Sequence, residues 1–237
     1  MTAVLEKSIC IITARGGSKR IPRKNIKNFC GRPIISYSID VANQCKLFDE
    51  VMVSTDDEEI ANIAKSYGAN VPFLRSKETS DDFSGSAEVI FEVLQEYKKQ
   101  NCNFQYACCI YPTAPLLRVE TLLESWELLK KHDLDSVLPI LRFGFPIQRA
   151  LRMEANSIVS MFQPENRTKR SQDLEPTFHD AGQFYFLQVE RFLKNKKLWS
   201  DKSAGIVLND LDAQDIDTEE DWNIAEFKYE YRRIAKK

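Results

Sequence analysis

The sequence predicts an α/β protein: a mostly parallel, twisted sheet with helices on both faces, interrupted once by an inserted arm. Three observations carry this. Short apolar runs alternate with helical patterns as far as residue 141, the order that builds right-handed βαβ units. The run "YACCIYP" (106–112) is apolar at nearly every position, as a strand buried on both faces is. The rhythm fails between 142 and 180, then returns at "AGQFYFLQ" (181–188).

In chain order, "SICIITA" (8–14) reads as the first buried strand. Pro33 suits the first position of a helix whose apolar residues run from Ile34 to Val41. "EVMVST" (50–55) is the second strand. In "DDEEIANIAKSYG" a helix is predicted with Asp56 as its N-cap, Ile60, Ile63, Ala64 and Tyr67 on one face, and Gly68 closing it. A short extended piece (70–75) precedes a helix over about 85–99 that turns Val89, Val93 and Leu94 inward. Residues 118–131 repeat Val119, Leu122, Leu123, Trp126 and Leu129, another amphipathic helix, and "DSVLPIL" (135–141) is the next strand. Thr218 caps a final helix over 218–236, with acids in its first turn and Arg232, Arg233, Lys236 and Lys237 in its last, the order its dipole favours. The expected organisation is a nucleotide-binding α/β domain over 1–141 and 181–237, with 142–180 inserted. The insert is Arg-rich and holds three prolines, and it would either close over a substrate or embrace a second subunit.

Composition narrows the function. The 237 residues are 43% apolar and 29% charged, a globular balance. No apolar run approaches the ~20 residues of a membrane span. Thr13 and Arg15 interrupt the N-terminal apolar run where a signal core would continue. The six cysteines lack metal-site spacing, so they read as reduced thiols of a cytoplasmic protein. A net charge of −2 argues against a general nucleic-acid binder. Against that background, six basic side chains stand within residues 15–27: Arg15, Lys19, Arg20, Arg23, Lys24 and Lys27. They surround the bare backbone of Gly16 and Gly17 and follow the first strand, at the sheet edge where α/β proteins gather ligands. The segment matches neither GxxxxGK[ST] nor GxGxxG. Its exposed N–H groups and cations would suit a triphosphate, or it is a solvated basic loop.

The order of those residues says more. Ile12, Ala14, Arg15, Ser18, Lys19, Pro22, Lys24 and Asn25 resemble the N-terminal signature of the CMP-sugar-acid synthetases (acylneuraminate cytidylyltransferases), with Thr13 in place of the usual Pro. The resemblance continues through "VSTDDEEIANIAKSYGANVPFLR", "YPTAPLLR", "AGQFYF" and "DIDTEEDW", and covers nearly the whole chain. Several segments look most like the family's pseudaminic acid branch; the general sialic-acid enzymes usually carry Gln where Tyr111 stands.

The resemblance implies a nucleotide-diphospho-sugar transferase-like (Rossmann-like) fold and a reaction of CTP with a nine-carbon 2-keto sugar acid, giving the CMP-sugar and pyrophosphate. Pseudaminic acid is the first expectation for the acceptor, N-acetylneuraminic or legionaminic acid the alternative. A non-catalytic nucleotide-binding protein is the reading from another class. Arg15 and Lys24 would be the cations on the triphosphate. Ala14, Gly16, Gly17, Ser18 and Asn25 would shape the nucleotide loop. Arg75 and Ser86 match, by their 11-residue separation, the family's cytosine contacts; the alternatives are a surface cation and a helix cap. Asp215 and Asp217, two apart in an extended segment, would face one side and hold Mg²⁺ together; otherwise they are capping acids before Thr218. Arg15, Lys24, Asp215 and Asp217 are thus the catalytic candidates. Tyr111, Gln148, Arg149, Arg170, Gln172, Gln183 and Phe184 are candidates for the sugar acid, with Arg suited to its carboxylate. Family members' inserts pack on a partner subunit, so a homodimer is expected. His132 and His179 read as structural, and Asp56–Asp57 as capping acids with no part in a site.

Overall fold

The computed structural model describes residues 6–81 and 84–235. Its strands are β1 (Ser8–Thr13), β2 (Asn28–Phe29), β3 (Arg32–Pro33), β4 (Glu50–Ser54), β5 (Tyr106–Ile110), β6 (Ser136–Arg142), β7 (Leu151–Met153), β8 (Val159–Met161), β9 (Phe178–Asp180), β10 (Phe184–Gln188) and β11 (Ser203–Val207). The α-helices are α1 (Ile35–Gln44), α2 (Glu58–Ser66), α3 (Ser86–Lys99), α4 (Val119–Lys131), α5 (Val189–Asn195) and α6 (Glu219–Ala235).

The central sheet runs β11-β6-β10-β5-β1-β4, with β9 also paired to β6. Strands β1, β4, β5, β6 and β11 point one way, and β10 and β9 run against them. Alternating residues of each strand face opposite sides, which makes two cores. Cys10, Ile12, Cys108 and Ile110 meet α1, α2 and α4 on one face. Ile9, Ile11, Ala107 and Cys109 meet α3 and α5 on the other. A third cluster joins the two halves of the chain: Ile21, Phe29, Ile34 and Tyr37 pack on Ile216, Trp222 and Ala225. All six cysteines are unpaired. Among the described residues, no helix is long and apolar enough to cross a membrane.

Several elements differ from expectation. Pro33 does not open a helix; it pairs with Asn28 in the β2–β3 hairpin, and α1 begins at Ile35. The N-cap of α2 is Asp57, whose side chain accepts the Ile60 N–H at 2.9 Å, because Asp56 is turned elsewhere. Helix α5 and strand β11 fall in a stretch with no clear pattern. Lys236 and Lys237 lie outside the described residues, while Thr218 and Asp221 cap α6 reciprocally at 2.8 and 3.2 Å.

Residues 143–177 leave the sheet as short 3-10 turns and the β7–β8 hairpin. The chain re-enters at β9, so the last three residues of the expected insert form part of the central sheet. β9 and β10 lie successively along β6, Asp180 opposite Ile140 and Phe186 opposite Val137. Three steps along β6 thus correspond to six along its partner, and Ala181–Gln183 bulge out between the two ladders.

Candidate active site

The basic loop leaves the carboxyl end of β1 and is held from several sides. Asn25, buried, donates through Nδ2 to the Arg15 carbonyl at 2.9 Å and closes the loop on itself. Arg15 donates to the carbonyl of Asp81 at 2.9 Å. A cavity of about 220 Å³ opens between this loop and residues 111–113, lined among others by Arg15, Ser18, Lys24, Asn25 and Tyr111.

The far end of the sequence meets two residues of the cavity's lining, Lys24 and Arg20. Lys24 donates through Nζ to the Ile216 carbonyl at 2.6 Å and lies 3.7 Å from Asp217 Oδ1. Arg20 meets the same carboxylate at 2.7 Å. Burial lowers the Lys24 pKa, and the charges of Asp217 and Asp215 oppose that fall. Asp215 is held above the usual carboxylate range, first by loss of surrounding water and then by the Asp217 charge. Gly182 in the β9–β10 bulge, in the left-handed region (φ +63) that favours glycine, lies beside Asp215. Two neighbouring carboxylates, one of them in contact with Arg20 and Lys24 of the cavity's lining, are oxygen donors of the kind Mg²⁺ takes. That ion takes one or two protein carboxylates and completes its shell with phosphate and water. No cluster of three or more acidic, Cys or His side chains suited to a metal occurs among the described residues, so Asp215 and Asp217 stand as a pair.

Arg75 is not a surface cation. It is 8% exposed and donates to Ser54 Oγ at 3.0 Å and to the Ser54 carbonyl at 2.6 Å. Burial lowers its pKa, opposed by Asp56 and Glu92. Ser86 is the first residue of α3, not its cap; Gly85 holds that place, and the Ser86 hydroxyl lies 3.3 Å from Tyr111 Oη. Tyr111 is fixed at its backbone by Ser38 and Gln183, both at 2.8 Å, and its ring meets Tyr185 edge-on.

The sugar candidates divide. Tyr111 lines the cavity. Gln183 lies behind it, 2% exposed, donating to the Asp212 carbonyl at 2.7 Å while its Oε1 has no partner. Phe184 is a correction: its side chain is fully buried in the core against Phe186 and offers no surface to a ligand. The other four belong to the insert. Gln148 donates to the Glu175 carbonyl at 2.9 Å, and Arg149 reaches toward Ser171. Arg170 is exposed and paired bidentately with Asp173. Gln172 lines a separate cavity of about 430 Å³, and Arg149 one of about 780 Å³. Neither cavity shares a lining residue with the cleft between loop and carboxylates. His179 packs on Phe143 and contacts the Asp180 carbonyl, and His132 is the C-cap of α4.

Two residues set aside as capping acids touch the site. Asp56 accepts the Gly16 N–H at 2.8 Å. Asp57 pairs with Arg23, which also reaches Glu59, and this lowers the Asp57 carboxyl to about 2. Strand order holds the signal that finds them: β1 and β4 are parallel neighbours with Thr13 opposite Ser54, so residues just beyond each emerge side by side.

Residues 9–202 match the family model described as Cytidylyltransferase. A pseudaminic acid cytidylyltransferase of Campylobacter jejuni is 42% identical over 94% of this chain and 96% of its own. A CMP-N,N'-diacetyllegionaminic acid synthase of Legionella pneumophila is 30% identical over 96% of this chain and 98% of its own. Among solved structures, a CMP:2-keto-3-deoxy-manno-octonic acid synthetase complexed with CTP is similar in fold. Its TM-score is 0.68 at 14% identity, covering 96% of this chain and 100% of that one.

Proposed function

Because the chain belongs to the cytidylyltransferase family and is a CTP-dependent nucleotidyltransferase, we propose that it transfers CMP to the anomeric hydroxyl of pseudaminic acid. The observation that carries this reading is the 42% identity over nearly the full length of both chains to an enzyme of that name. The meeting of Lys24 with Ile216 and Asp217 beside a cation-lined cleft supports the chemistry.

In the proposed reaction the anomeric oxygen attacks the α-phosphorus of CTP, the bond from that phosphorus to the β-phosphate bridging oxygen breaks, and pyrophosphate leaves. The hydroxyl proton passes to solvent. Alignment and charge neutralisation supply the rate. Arg15 and Lys24 bind the triphosphate, and Ser18 and the Ala14–Gly17 backbone shape its bed. Lys24, held by a carbonyl at its ammonium, presents its charge without a rotamer search. Arg75 and Ser86 read cytosine. Mg²⁺ held by Asp215 and Asp217 would offset phosphate charge and polarise the α-phosphate. Tyr111 contacts the sugar acid with Gln183 supporting it from behind, and Gln148, Arg149, Arg170 and Gln172 act from the insert of residues 142–180. That insert presents Phe145, Met153, Ile158 and Phe162, each more than half exposed, and joins two copies as a homodimer. The setting is cytoplasmic, in keeping with six unpaired cysteines.

The test is pyrophosphate release from CTP and Mg²⁺ with pseudaminic, legionaminic and N-acetylneuraminic acids in turn. The highest kcat/KM is expected with pseudaminic acid. A higher value with another acid reassigns the acceptor, and tight CTP binding with no release from any acid favours a non-catalytic nucleotide-binding role.

A further inference from the structure

We propose that Asp56 and Asp57 are positioning residues for the nucleotide loop, holding its backbone in the shape that receives a triphosphate before any nucleotide arrives. This rests on reading residues 15–25 as the CTP phosphate site.

The loop is fastened at two points to the start of α2. At the first, the Gly16 N–H donates to Asp56 Oδ1 at 2.8 Å. There the Gly16 α-carbon also lies against Asp57: a Cβ would stand 2.9 Å from Asp57 Oδ2 and 3.1 Å from its Cβ. Any larger residue there would push the Asp57 side chain aside. At the second, Arg23 adopts the left-handed region (φ 55) and grips both oxygens of Asp57. Asp57 is itself immobilised, since its Oδ1 accepts the Ile60 N–H and caps α2. Lys24 follows Arg23 directly, so the second fastening sets where Lys24 begins.

The physical need is plain. Residues 15–27 carry six basic side chains on a glycine-containing backbone. Their mutual repulsion and the freedom of glycine would spread such a loop, and the nucleotide would then bear the cost of ordering it. Two carboxylates anchored on a helix remove both costs during folding. The opposite role is also physically possible: Asp56 could compete with phosphate for the Gly16 N–H. The two roles predict opposite signs.

The experiment is CTP titration by calorimetry on the full chain, without sugar acid, for wild type, Asp56→Ala and Asp56→Asn. Trypsin cleavage within residues 15–24 is followed in parallel. Asp56→Ala should weaken CTP binding roughly tenfold, the size of one lost hydrogen bond. It should also speed cleavage of the nucleotide-free loop, with CTP restoring protection. Asp56→Asn keeps an acceptor oxygen and should bind within about twofold of wild type. Unchanged or tighter binding by Asp56→Ala, unchanged cleavage, or an equal loss in Asp56→Asn would overturn the inference. Wild-type protein that binds no CTP would instead end the reading of the loop as a nucleotide site.

Discussion

The residue that bears the clearest strain is Asp215. Its carboxyl pKa is raised by lost hydration and by Asp217, so the folded protein holds a proton there more tightly than the unfolded chain does. Stability from this group is therefore full below the ordinary carboxylate pKa and is lost as pH rises through the raised value. Asp215→Asn should melt higher than wild type at neutral pH without metal, and the gap should close as pH falls toward about 4. The same variant should lose turnover. Differential scanning calorimetry across pH checks this; identical melting at every pH would refute it. Single residues also mark what the sequence could not convey. Arg75 and Phe184 each appear in a suitable motif and both are buried, yet their surroundings, which depend on neighbours distant in sequence, separate them. Arg75 stays polar through Ser54, whereas Phe184 is sealed among Ile12, Ile35 and Phe186. Asp56 and Asp57 are equally good caps by residue type, and only the nearness of Gly16 decides between them.

At the scale of elements, α6 packs against the nucleotide loop through Ile21, a residue of the cleft's lining. Trp222, 3% exposed, packs edge-on to Phe29 at 5.5 Å, and Lys27 lies 4.6 Å over its ring. Trp222→Ala should cost about 3–5 kcal/mol in urea unfolding, as other large-to-small core changes do. It should also loosen CTP binding, because Ile216, which accepts from Lys24, belongs to the same cluster. A loss below about 1 kcal/mol would show that the helix contributes little to the site. Elements with strong periodicity were legible: β1, β5, α2 and α4 fall within a residue or two of expectation. The β2–β3 hairpin was not, since Pro suits a helix start as readily as a strand edge. Nor was β11, whose Ser203–Val207 stretch includes Gly205, lodged against Ile140, and has no clean alternation.

At the scale of the whole molecule, the mostly parallel sheet and the meeting of loop with carboxylates were legible in outline, the first from the alternation of strands and helices and the second from the resemblance of motifs; the strand order was not. The insert was legible only as a break, because its short turns and hairpin follow no long period. Its exposed apolar side chains predict a species of twice the chain's mass in light scattering. Phe162→Asp should shift that species toward monomer, and a monomeric wild-type protein active at the same concentration would refute the assignment. Lys24 and the carbonyl it grips are 192 residues apart. A chain emerging from the ribosome therefore displays its cationic loop long before the oxygen that steadies it exists. On the nascent polypeptide that ammonium must find other partners, and it can take up its final contact only after residue 216 has been added.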